Sequence, residues 1–158
     1  MLYDGDTFTH NGREFRVSFP YDAFHGAPWV EYDCHGPVSD WTTRDKAPGE
    51  LILNNGRTRR VYYDFQEACR IARTVWGFTS RADAAKAARA DYERLRQWCA
   101  DQWHYVFVRV ELLDDNGSEI DWQCVGGVES DAGDYLEEIA REIAGELCAN
   151  HAAPEYSI

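Results

Sequence analysis

The chain has 158 residues, the size of one ordinary domain. Hydrophobic residues make up 44% and charged residues 28%, a balance that excludes a disordered, collagenous or low-complexity chain. With 28 acids against 16 bases the formal net charge is -12, so unaided binding to nucleic acid or to an anionic membrane is opposed and a basic partner is favoured.

The first third is punctuated as an antiparallel β region. Asn11-Gly12 and Asn55-Gly56 each separate two strand-like stretches, and Asn-Gly supplies the positive φ angles of a type I′ hairpin turn. The first hairpin is expected to pair Thr7 to His10 with Arg13 to Phe19, where Phe15, Val17 and Phe19 alternate with Glu14, Arg16 and Ser18. The second pairs Leu51 to Asn54 with Arg57 to Tyr63. Between them Trp29 to Asp33 reads as a further strand, followed by a Gly/Pro/Ser/Asp loop through Pro48.

From Asp64 the period becomes helical. Phe65, Ala68, Cys69, Ala72 and Val75 or Trp76 share a stripe, with Asp64 as cap and Gly77 as terminator. A longer helix follows from about Ser80 to Asp101, carrying Ala84, Ala85, Ala88, Tyr92, Leu95 and Cys99. His104 to Leu113 then reads as a strand, Asp115-Asn116-Gly117 as a third hairpin turn, and Glu119 to Val125 as its second strand. The last helix, Asp134 to about Ala149, aligns Leu136, Ile139, Ala140, Ile143 and Leu147, with Ser130 or Asp131 near its start as a cap. This order predicts an α+β fold, an antiparallel sheet built from hairpins with about three helices on one face, because hairpin connections are too short for parallel crossovers. No repeat or long linker divides the chain, so residues 1–158 read as a single domain.

No apolar run approaches the roughly 20 residues of a membrane span, and MLYDGDTFTH lacks the basic and apolar regions of a signal peptide, so a cytoplasmic location is expected. The cysteines Cys34, Cys69, Cys99, Cys124 and Cys148 are odd in number and widely spaced, which predicts reduced thiols rather than a disulfide framework.

Charge is distributed unevenly. Residues 1–56 hold 9 acids and 4 bases, residues 57–103 hold 6 and 10, and residues 104–158 hold 13 and 2. In the last helix Asp134, Glu138, Glu142 and Glu146 recur every four residues, a row climbing about 6 Å per step. Like charges at that spacing repel by about 0.2 to 0.5 kcal/mol per pair. Part of that is offset because Asp131, Asp134, Glu137 and Glu138 lie near the positive end of the helix dipole. Together with Glu111, Asp114, Asp115, Glu119 and Asp121 of the adjacent hairpin, this row can imitate a nucleic-acid backbone for a protein that binds one; its plainer use is a solvated face.

The basic stretch Arg57, Arg59, Arg60, Arg70, Arg73, Arg81, Arg89, Arg94 and Arg96 reads as internal pairing rather than a nucleic-acid patch, so no direct nucleic-acid binding is expected. His25, Cys34 and His35 are candidate metal ligands, but no second cluster at zinc spacing accompanies them. Cys99, Asp101 and His104 suggest a thiol nucleophile, against which Cys99 continues an apolar stripe. No P-loop, dinucleotide fingerprint or nucleophile elbow occurs, and Gly126-Gly127 alone does not mark phosphate binding. Neither a cofactor nor a metal is expected. Of the six tryptophans, Trp41 lies in a polar loop and is the one expected at an interface.

From Asp91 to Leu147, through DYERLRQWCADQWHYVFVRVELLDDNGSEIDW and then GVESDAGDYLEEIAREIAGEL, the chain resembles a group of small acidic proteins of bacteriophages and prophages. The resemblance rests on a WC-x-x-x-WH junction, an acidic LLDDNG hairpin and an ESDAGDYLEE helix start, and it transfers no catalytic residue. It implies an inhibitor of host defence, of the anti-CRISPR or anti-restriction kind. The expectation is therefore a non-enzymatic protein whose acidic hairpin and helix cover a basic, nucleic-acid-binding host surface. The alternative is a phage accessory protein that assembles with another phage protein through aromatic contacts.

Overall fold

Asn11 and Gly12 both adopt positive φ, 50° and 75°, and so close the two-residue turn that their sequence predicts. They join β1 (Thr7–His10) to β2 (Arg13–Ser18). The elements that follow are α1 (Pro28–Glu31), β3 (Glu50–Asn55), β4 (Arg60–Asp64), α2 (Phe65–Thr74), α3 (Arg81–Cys99), β5 (Tyr105–Leu113), β6 (Glu119–Glu129) and α4 (Asp134–Asn150). The computed structural model describes residues 1–152. The fold is α+β, as expected, but the hairpins divide into two sheets, one in each of two compact units.

The first unit comprises Met1–His25 and the chain from His104 onward. Its antiparallel sheet has the order β1-β2-β5-β6. Register places Phe15 opposite Leu112 and Val17 opposite Val110, so strand alternation sends Val106, Val108, Val110 and Leu112 to one face. On that face Leu136, Ile139, Ala140, Ile143, Ala144 and Leu147 of α4 complete the core with Phe8, Phe15, Val17 and Val128. Ser130 does not cap α4. Its hydroxyl accepts from His104 N at 3.0 Å, and the N-cap is Gly133, with φ 63° and no side-chain hydrogen bond.

β6 runs four residues beyond its expected end at Val125. Val106 pairs with Val128 and Val108 with Val125, so Phe107 faces both Gly126 and Gly127 across a bulge, after which the ladder resumes. Gly127 has φ 70°, and a Cβ there would lie 2.4 Å from the His25 ring. The bulge is tied down by Asp22, which is 2% exposed and the one buried charged residue among those described. Its Oδ2 accepts from Gly127 N at 2.8 Å and its Oδ1 from Phe24 N at 3.0 Å; His25 Nδ1 lies 3.3 Å from Oδ2.

The second unit is Gly26–Trp103. The strand expected at Trp29 to Asp33 is instead the short helix α1, because Pro28 sits at its first position, where a fixed φ and a missing N–H suit a helix start. The second hairpin exists, but Asn55 pairs with Arg60, leaving a four-residue loop, and neither Asn55 nor Gly56 has positive φ. Gly56 serves close approach instead: a Cβ there would lie 2.9 Å from the Trp41 ring. The loop before β3 is ordered onto β4, with Ser39 N donating to Tyr62 O, Tyr62 N to Ser39 Oγ, and Thr42 bridging Arg60.

Asp64 caps α2 by accepting from Glu67 N at 3.1 Å, and Ser80 caps α3 by accepting from Asp83 N at 3.0 Å. Gly77, with φ 84°, follows the end of α2. Leu53, Val61 and Tyr63 of the hairpin meet Ala68, Ala88, Tyr92 and Leu95 of the helices. Burial, and then its hydrogen bond to Asp91, raises the Tyr63 phenol above its ordinary range. A raised folded value stabilises the fold below about pH 10 and the contribution fades as pH climbs through the folded value. Ultraviolet titration should therefore leave at least one of the nine tyrosines un-ionised until the protein unfolds, since burial raises Tyr92 as well, and Tyr63→Phe should lower the number of late-ionising rings by one. Complete ionisation of all nine in the native protein would refute this.

Candidate functional site

The charge asymmetry follows the two units. The first holds 17 acids and 4 bases and the second 11 and 12, so the excess negative charge belongs to the sheet and α4. Asp134, Glu138, Glu142 and Glu146 are all exposed, because the apolar stripe of α4 turns the opposite side of the helix to the sheet. Arg141, the lone cation on α4, is turned elsewhere. Its Nη2 lies 3.6 Å from Glu137, its Nη1 reaches Thr9 O at 3.5 Å, and its guanidinium lies 5.3 Å from the Phe8 ring centroid. Among the described residues no hydrogen bond or ion pair reaches the side chains of Asp134, Glu138 or Glu142. Glu146 accepts from Gln123 Nε2 at 2.8 Å.

The hairpin carboxylates are disposed differently. Glu111 alternates with Val110 and Leu112, which places it on the sheet face away from α4, so it does not continue the helical row. It pairs with Arg109 and with Arg16 at 3.4 Å, and Arg109 Nη2 also meets Glu119 at 2.6 Å. Asp114 is used by its own turn, accepting from Asn116 N and Ser118 N at 2.9 Å each. Asp121 lies near the end of α4, where His151 Nε2 at 2.8 Å and then Trp122 N hold its carboxyl below the usual range. Asp115 and Asp131 are exposed. The structure thus leaves the α4 row as the continuous carboxylate surface and assigns most hairpin acids to internal contacts.

Trp41 is 50% exposed, with its ring against the β3–β4 loop. Trp122 at 49% and Ile120 at 46% are equally open on β6, and Arg109 lies 4.7 Å over the Trp122 ring. Sequence reasoning passed over Trp122; the alternation of β6 was the available signal, since Trp122 pairs with outward-facing Glu111.

Arginines of the second unit are largely used within it: Arg44 pairs with Glu50, Arg70 with Glu67 and Arg96 with Glu93, while Arg94 lies 3.9 Å over Trp103. Arg70, Arg73 and Arg81 line a cleft of about 950 Å³ with Phe78. Among the described residues no group of three His, Cys, Asp or Glu is placed to hold a metal ion. Burial and then Asp101 push the Cys99 thiol up to about 11, opposite to what a nucleophile needs. No helix among the described residues is long and apolar enough to cross a membrane. Comparison with family models, curated proteins and solved structures finds no match to this chain.

Proposed function

We propose that the protein is a non-enzymatic acidic inhibitor, acting in the host cytoplasm, that lays α4 against the basic nucleic-acid-binding surface of a host defence protein such as a CRISPR effector or restriction enzyme. The observation that carries this is the exposed row from Asp134 to Glu146, whose first three carboxylates have no partner among the described residues. The row spans about 18 Å and places like charges where they repel, a cost that a cationic partner would relieve. The resemblance of the C-terminal part to small acidic phage proteins supports the choice of partner.

The test is binding to a purified effector at low and high salt, with its nucleic acid as competitor. The complex should weaken steeply with salt and be displaced by nucleic acid. Glu138→Gln, Glu142→Gln and Glu146→Gln together should lower affinity at least about tenfold while leaving thermal stability unchanged or slightly higher, because like-charge pairs are removed. A salt-insensitive complex, or full affinity in the triple variant, overturns the reading. Exposed Trp41 and Trp122 favour a second reading, a phage accessory protein docking through aromatic contacts. In that case Trp41→Ala or Trp122→Ala, and not the glutamine variant, abolishes assembly.

A further inference from the structure

Cys34 and His35 attract attention in the sequence as metal ligands, but the fold engages them otherwise. His35 Nδ1 lies 2.7 Å from Asp91 Oδ1, and Cys34 Sγ lies 3.8 Å from His35 Nε2. Asp91, on α3, is held in place in turn: its Oδ2 accepts from Gly36 N at 2.8 Å and from the buried Tyr63 hydroxyl at 2.7 Å. A carboxylate only accepts, so the proton of the ring stays on Nδ1 and Nε2 is left to accept from the thiol. Gly36 is obligatory here, because a Cβ would lie 2.5 Å from the Tyr63 hydroxyl oxygen. All these residues belong to the second unit, and Cys34 is exposed while the His35 and Asp91 side chains are only 15% and 11% exposed.

We propose that Cys34, His35 and Asp91 form an activated-thiol site, with Cys34 as nucleophile, His35 as its base and Asp91 as the positioning residue, and that it takes small soluble disulfides. The thiol proton passes to His35 Nε2. The Cys34 thiolate attacks one sulfur of R–S–S–R, a Cys34–S–S–R bond forms and the original S–S bond breaks. The departing sulfur leaves with the electron pair and collects the proton from the imidazolium as R–SH; Cys34 is oxidised and the leaving sulfur reduced. Disulfide exchange fits better than acyl transfer because the neighbouring Gly36 N–H is consumed by Asp91 and cannot serve a developing oxyanion, whereas exchange at sulfur needs no such donor.

The experiment exposes the full chain to oxidised glutathione over a pH series and maps mixed disulfides by mass spectrometry. Cys124, exposed on β6, serves as the internal reference. At about pH 6.5 Cys34 should react at least about tenfold faster than Cys124. His35→Gln should return Cys34 to the Cys124 profile, and Asp91→Asn should move it in the same direction. Parallel profiles in the unsubstituted protein, or an unchanged Cys34 rate in His35→Gln, overturn the proposal. The comparison within the unsubstituted protein decides the matter even where Asp91→Asn fails to fold.

Discussion

Asp22→Ala is expected to destabilise the protein by about 2 to 5 kcal/mol, because it removes a carboxylate that is itself only 2% exposed and strips the acceptor from two part-buried backbone donors. Phe24 N and Gly127 N would both lose this acceptor, and the His25 ring this carboxylate. Asp22→Asn should fall between, since one arm of the amide still accepts while the other offers a donor where a donor already points. Urea or thermal unfolding of the two variants checks the order. Equal stability of Asp22→Ala and the parent would mean that the bulge at Gly126 and Gly127 does not depend on this carboxylate.

Leu95→Ala is expected to cost a similar amount, about 2 to 5 kcal/mol, by a different mechanism. Leu95 is fully buried on α3 among Leu53, Val61, Tyr63 and Ala88, and its removal leaves a cavity that a hairpin clamped by bonds from Tyr62 and Tyr92 cannot collapse to fill. Against a total of about 5 to 15 kcal/mol for a typical domain, either change removes a large share. A loss below about 1 kcal/mol in denaturant unfolding would show that the site relaxes freely.

These two residues differ in how they announce themselves. Leu95 stands in a helical apolar stripe, and its burial follows from period alone. Asp22 sits in YDAFHG, with nothing local to distinguish it from a surface aspartate; its partner Gly127 lies 105 residues away. Cys34 and His35 show the same limit, since the carboxylate that orients the imidazole arrives from a helix 56 residues on.

The amino-acid order alone was sufficient for the helices α2, α3 and α4, for the Asn11-Gly12 and Asp115-Asn116-Gly117 turns, for the α+β class and for the exposure of the α4 carboxylates. Each depends on residues within a few positions: caps, turn glycines and an apolar period act at short range. Tertiary structure decided which hairpins share a sheet, that Asn55-Gly56 is not a tight turn, and that Glu111 and Glu119 face Arg16 and Arg109 rather than joining the helical row. Those outcomes depend on pairing between distant segments, where register sets the face of every side chain and a single bulge, as at Gly126 and Gly127, resets it.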